Sequence, residues 1–181
     1  MVFMPAFFTI GHSTRSLDEF IGLLKHAEVK TVVDVRSIPR SKTNPQFNTE
    51  TLPHALGASG IDYSHLAELG GLRGRQKGGA VSPNMFWDNT SFRNYADYAA
   101  TETFRAGLGK LLKIGHDRNA AVMCAEAVWW RCHRRIVADY LIAQGETVFH
   151  ILGANKIEPA HITPAAQVSP DGTLAYPAAS A

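Results

Sequence analysis

Cysteine is scarce in this chain. Cys124 and Cys132 are the only two in 181 residues, too few for a disulfide framework. A cytoplasmic location is the expectation, and in a reducing compartment paired cysteines point more often to metal or redox chemistry than to structural bridging. Long apolar runs are missing too. No segment nears the ~20 residues that span a bilayer, so no membrane partner is expected. The start, Met1-Val2-Phe3-Met4-Pro5, has no basic region and no full apolar segment, and no signal peptide is read there. Charge of one sign is lacking: 18 Lys+Arg stand against 16 Asp+Glu, a net +2, which by itself does not point to nucleic acid. Three motifs are absent, G-x-G-x-x-G, G-x-S-x-G and H-E-x-x-H. Nicotinamide-dependent, serine-hydrolase and zincin readings lose their usual support.

Apolar residues are plentiful, at 45% against 19% charged. That suffices for one buried core and excludes fibrous and wholly disordered classes. The length suits a single domain. No internal repeat is visible. The last 29 residues hold four of the nine prolines and show no strand or helix period. The chain is therefore divided into a globular body, 1–152, and an irregular tail, 153–181.

Strand-like and helix-like segments alternate in the body. Strands are expected at 7–10, 31–35, 61–63, 120–124 and 147–151. Helices are expected from Ser16 onward, over 51–56, over 92–114 and over 131–143. Ser16 and Glu19 form a capping-box pattern. Apolar strands alternating with helices predict an α/β fold: a single-domain, three-layer, Rossmann-like sandwich with a mostly parallel sheet. Ligands in such sheets bind beyond the C-terminal strand ends. If the strand order is 3-2-1-4-5, the first strand and the Cys124 strand are neighbours, and His12 lies near Cys124.

The segments that follow the strands carry the candidate chemistry. Cys124 ends a strand, Glu126 follows, and Cys132 and His133 open the next helix. A helix N-terminus and nearby arginines both favour a thiolate. Cys124 reads as a nucleophile or redox centre, with Glu126 and His133 as proton-transfer groups. Cys132, four residues before Ile136, reads equally well as a small core residue. Cys124, Cys132 and His133 carry metal-ligand atoms, but their spacing fits no common zinc pattern. A phosphatase-type loop is disfavoured, because Glu126 and two tryptophans lie between Cys124 and Arg131.

Nine of the basic residues fall in three short segments: Arg36, Arg40 and Lys42; Arg73, Arg75 and Lys77; Arg131, Arg134 and Arg135. Arginines fork onto phosphate or carboxylate. Asp34 and His12 read as substrate-orienting groups. Ser13, Ser41, Arg36, Arg40, Arg73, Arg75 and Arg134 are candidate substrate binders. The stretch 69–79 is glycine-rich and basic, a loop that an anion would order. It is not a P-loop. Trp129 and Trp130 offer faces for stacked bases.

Taken together, these pieces resemble the DUF488 family. The matching residues are Ile10-Gly11-His12-Ser13, Phe20, Asp34-Val35-Arg36 with Pro39-Arg40-Ser41, Phe47-Asn48, Leu69-Gly70-Gly71, Cys124-Ala125-Glu126, Cys132-His133-Arg134 and His150-Ile151. The stretch 128–135 looks like one branch of that family. Other members tend to carry a proline-containing loop there. The resemblance implies an α/β fold and a polar site built from these residues. It supplies no reaction and no cofactor, and it does not reach the tail.

Two functions follow from the residue chemistry. One is an enzyme with a Cys/Glu/His/Arg site acting on a phosphate-containing substrate, a nucleotide or a nucleic acid. The other is a non-catalytic module that binds nucleic acid or another anion, with the cysteines in the core or in a Cys/His metal clip. Oligomeric state is not readable from the sequence.

Overall fold

The computed structural model describes residues 4–180. Phe7–Gly11 forms β1 and Ala120–Cys124 forms β4, two strands buried along their whole length. β2 is Thr31–Asp34, β3 is Asp62–His65 and β5 is Val148–Gly153. These five strands pair in parallel. A sixth, β6 (Lys156–Pro159), adds antiparallel to β5. The sheet order is β3-β2-β4-β1-β5-β6.

Side chains alternate across the strands, so two apolar layers form. On one face Phe7, Val33 and Val122 pack with Tyr95, Phe104, Leu111, Ile136 and Leu141. These helical residues come from α3 (Thr90–Tyr98), α4 (Glu102–Gly115) and α5 (Arg134–Ala143). On the other face Phe8, Ile10, Val32 and Met123 pack with Phe20, Leu24, Leu52 and Leu56. Those belong to α1 (Leu17–His26) and α2 (Leu52–Gly57). The result is the expected α/β sandwich. The Ser16 cap is as expected: its Oγ accepts the Glu19 N–H at 3.1 Å, satisfying a donor the helix leaves open. Among the described residues, no helix is long and apolar enough to cross a membrane.

Four expectations need correction. β4 lies between β2 and β1, so the order is not 3-2-1-4-5, although β1 and β4 are neighbours, with Gly11 opposite Cys124. The helical pattern over 92–114 is two helices, broken at 99–101. Thr101 caps the second, its side chain accepting from the Phe104 N–H. Both pieces turn their apolar residues to one core, so the period runs across the break. The helix expected at 131–143 starts later: Trp129–Arg131 is a 3₁₀ turn, Cys132 is extended and His133 caps α5.

The fourth correction is the tail. Besides β6 it forms a small hairpin from β7 (Gln167–Val168) and β8 (Leu174–Ala175). Leu174 and Tyr176 are buried, the leucine alone a gain on the order of 2 kcal/mol. The Tyr176 hydroxyl donates to Asp139 of α5 at 2.9 Å, and the Leu174 N–H donates to the Tyr140 hydroxyl at 3.1 Å.

Candidate functional site

Strand order decides the site's architecture. The chain leaves β1 for β2 on one side, and leaves β4 for β5 on the other. The segment after β4 therefore crosses the end of β1. It lies so close that a methyl group on Gly11 would stand 1.8 Å from the Glu126 carbonyl oxygen. The Ser13 N–H donates to the Ala125 carbonyl at 3.0 Å. Arg134, fully buried at the start of α5, reaches back beneath the crossing. Its Nη1 donates to the Glu126 carbonyl at 2.6 Å, its Nη2 to the Ala127 carbonyl at 3.1 Å and its Nε to Thr9 Oγ1 at 3.3 Å. The Thr9 hydroxyl is in turn hydrogen-bonded to His150 Nδ1 at 2.6 Å, and the His150 ring stacks on Trp129 at 4.4 Å. Burial, then the Arg134 charge, hold the His150 imidazole down at about 3.

A second network lies under the loop after β2. Asp34 is fully buried. Its Oδ1 accepts from Arg36 Nε at 2.9 Å, and its Oδ2 accepts from Arg36 Nη2 at 2.7 Å and from the Tyr63 hydroxyl at 2.5 Å. The bidentate pair is the strong form of a buried ion pair. Arg36 Nη2 also donates to the Phe47 carbonyl at 2.7 Å, and Arg36 Nη1 donates to His12 Nε2 at 3.3 Å. An arginine only donates, so His12 accepts at Nε2 and donates from Nδ1 to the Ser13 carbonyl at 2.9 Å. Ser13 sits in the left-handed region at φ 49°, which turns that carbonyl back toward the ring. Burial lowers the His12 pKa, and the ring stacks on Phe47 at 4.4 Å.

Between the two networks stand the thiols, 3% and 5% exposed. Cys124 and Cys132 are both free thiols that contact the same arginine and form no disulfide. Arg134 touches both: Nη1 lies 2.6 Å from Cys124 Sγ, and the backbone N–H donates to Cys132 Sγ at 3.4 Å. Burial pushes the Cys124 thiol well up, and neighbouring Cys132 adds to that. Burial also opposes ionisation of Cys132. The neighbouring Cys124 thiol and the charge and N–H of Arg134 outweigh it and bring that thiol to about 7. The two thiols titrate as a coupled pair, of which Cys132 is the more readily ionised.

His133 completes the group. Its Nε2–H donates to the Val35 carbonyl at 2.8 Å, so Nδ1 is the free acceptor, 3.5 Å from Cys132 Sγ. Burial lowers its pKa. Tyr95 packs edge-on against the ring. A methyl group at Gly71 would stand 2.4 Å from Nδ1. Gly71 is therefore a close-approach glycine rather than a hinge awaiting an anion.

These groups line an open cleft of about 530 Å³ at the C-terminal strand ends. His12, Arg36, Arg40, Ser41, Cys124, Glu126, Cys132 and His133 all reach it, as does Arg131. Glu126 and Arg131 are exposed. Arg40 pairs with Glu50. The Ser41 hydroxyl accepts from the Asn44 N–H.

Other candidates lie elsewhere. Arg134 is a buried brace, not an anion binder facing solvent. Asp34 lies beneath Arg36, out of reach of a ligand. Arg73 donates to the Ala67 and Gly70 carbonyls and lies over the Tyr98 ring. Arg75 lines a separate cavity of about 580 Å³ with Lys77 and Arg93. Ser13 lies outside the cleft lining. Among the described residues, no group of three or more His, Cys, Asp or Glu is arranged to hold a metal ion, so the Cys124, Cys132 and His133 set gains no support as a metal clip. Residue types alone had not marked Tyr63, which holds Asp34, or Ser37, whose Oγ accepts from the Leu72 N–H at 2.8 Å. Ser37 stood within the loop already singled out; Tyr63 gave no signal.

No curated protein and no solved structure was found to match the chain. The family described as Domain of unknown function DUF488 matches residues 16–141, which take in Asp34, Arg36, both cysteines and His133 but not His12 or His150. With well over half of its length matched, the chain belongs to the DUF488 family.

Proposed function

We propose that this protein is an enzyme that uses a cysteine of the cleft as nucleophile on a phosphate-containing substrate, a nucleotide or a nucleic acid. One observation carries the reading. Cys132 lines the cleft, and its Sγ has an imidazole acceptor 3.5 Å away and a backbone N–H 3.4 Å away. That is a nucleophile beside a base whose far nitrogen is fixed by a third group. The attacking sulfur is thus Cys132, and Cys124 shares its Arg134 neighbour, an exchange of the roles expected from residue order.

The Cys132 proton passes to His133 Nδ1, and the Val35 carbonyl holds the ring through Nε2. The sulfur then bonds to the electrophilic atom of the substrate, and the displaced group leaves with the proton from His133. Water releases the product, with Glu126, on the cleft wall, taking its proton. Arg131 and Arg40 at the cleft mouth hold the phosphate as a handle beside the reacting atom. Arg36 and His12 form the fixed wall, and Asp34 is a positioning residue that acts through Arg36.

The test is iodoacetamide alkylation of each thiol, read by peptide mass spectrometry with and without adenosine 5′-monophosphate. The nucleotide should slow alkylation of Cys132, and Arg131→Ala should remove that protection. A Cys132 that stays inert until the chain unfolds sinks the nucleophile. Alkylation that no nucleotide or inorganic phosphate slows sinks the phosphate handle.

A further inference from the structure

The nucleophile proposed above needs one thiol, but the cleft floor holds two. A pair of free thiols, both lining one cleft and both touching one arginine, is more than a single covalent step requires. We infer that Cys124 and Cys132 form a two-electron redox centre, which exchanges with a small anionic disulfide entering the cleft and closes to an intramolecular disulfide. This goes beyond the single-nucleophile reading above. It needs only the two sulfurs, Arg134 and the cleft.

The steps balance. The Cys132 thiolate attacks one sulfur of the incoming disulfide. That S–S bond breaks, one thiolate leaves and takes up the proton released from Cys132, and a mixed disulfide remains on Cys132. The Cys124 sulfur loses its proton and attacks Cys132 Sγ. The mixed disulfide breaks, and the second thiolate leaves with that proton. Two cysteine thiols have been oxidised by two electrons to a disulfide, and one small disulfide has been reduced to two thiols. A reducing thiol reverses the sequence.

Arg134 explains why the second step follows the first. In the reduced pair Cys132 ionises more readily, and its charge then adds to burial in holding the Cys124 thiol up. A mixed disulfide on Cys132 carries no charge, so that opposition disappears. The Arg134 Nη1, 2.6 Å from Cys124 Sγ, then favours a thiolate on Cys124, in the same cleft as the sulfur it must attack. A low-pKa attacking thiol beside a resolving thiol is the arrangement exchange chemistry calls for. The cleft admits a small molecule rather than a folded chain. Arg36 and Arg40 are paired with Asp34 and Glu50, but exposed Arg131 on the cleft lining has no carboxylate partner among the described residues and offers an anionic disulfide a contact that a cationic one lacks.

The probe is oxidised glutathione, with dicationic cystamine as the control, on the full wild-type chain. One disulfide per chain should be consumed, two reduced thiols released, and a Cys124–Cys132 cross-linked peptide recovered without reductant. The rate should fall about tenfold from pH 8 to pH 6, following a Cys132 thiol near 7. Cystamine should react more slowly. Cys124→Ser should stop at a stable glutathione adduct on Cys132. A wild-type adduct that never resolves, an adduct found first on Cys124, a rate indifferent to pH, or cystamine as fast as glutathione would each overturn the inference. The wild-type results stand even if a variant does not fold. Nucleotide protection is a separate readout, so the two proposals can fail independently.

Discussion

Replacing Gly11 with alanine adds one methyl group at the point where the segment after β4 crosses β1. The new carbon would lie 1.8 Å from the Glu126 oxygen, 2.6 Å from the Glu126 carbonyl carbon and 2.9 Å from Ala127 Cα. All three are backbone atoms, so no side-chain rotation relieves the clash. An ordinary C···O contact is about 3.3 Å, which asks the crossing segment to lift by about 1.5 Å. That lift breaks the 2.6 Å bond from Arg134 Nη1 to the Glu126 carbonyl, leaving a buried donor short of a partner. Overpacking of this kind costs about 1–3 kcal/mol, and the lost charged hydrogen bond about 1.5–3 kcal/mol more. Gly11→Ala should therefore lower stability by about 2.5–6 kcal/mol in urea unfolding. Cys132 should also need a higher pH for alkylation, because Arg134 would be free to move from the thiols. A variant with the wild-type urea midpoint and the wild-type alkylation profile would refute the crossing as the element that sets the site.

Acid should weaken the fold through its buried imidazoles. His150 is held at about 3, against 6.5 when free; the unfolded chain therefore binds the proton first, and stability falls as pH drops from 6.5 toward 3. From pH 7 to 5 the loss from His150 is about 2 kcal/mol, and the lowered His12 and His133 act in the same direction. His150→Asn, which keeps an acceptor for Thr9, should lose most of that slope in urea unfolding at the two pH values, and an unchanged slope would refute the assignment. Asp34→Asn leaves buried Arg36 without its counter-charge and should cost about 3–5 kcal/mol; a loss under 1 kcal/mol would show that the pair is dispensable. Arg134→Met strands the Glu126 and Ala127 carbonyls and should cost at least about 3 kcal/mol, while Cys132 alkylation moves to higher pH. Alkylation at the wild-type pH in that variant would remove Arg134 from the account of the thiol.

The strands could be read because burial on both faces forces them to be apolar. Phe7–Gly11 and Ala120–Cys124 have no solvent side, so composition alone marks them. Their order could not be read in the same way. Whether β4 pairs β1 on one side and β2 on the other depends on which connection passes over which strand, and a residue pattern does not encode that choice. The tail was opaque for another reason. Two-residue strands carry no period, and Leu174 and Tyr176 bury themselves against α5 singly rather than as a stripe.

At the site, sequence located the residues that follow strands, since topology alone sends them to one edge. It could not say which way an arginine faces. Arg134 and Arg131 are three residues apart, yet one is fully buried and the other exposed at the cleft. The difference traces to the crossing. The segment after β4 turns the Glu126 and Ala127 carbonyls inward over a side-chain-free Gly11, and buried carbonyls require donors. A guanidinium supplies them, with five N–H groups in a fixed fork. Arg134 is thus placed by the backbone above it, and its charge then falls beside Cys124 and Cys132. The depressed Cys132 thiol is in this sense a consequence of strand order. Putting β4 next to β1 makes the chain cross, the crossing needs a buried arginine, and the arginine lets a nearly buried sulfur ionise near neutral pH.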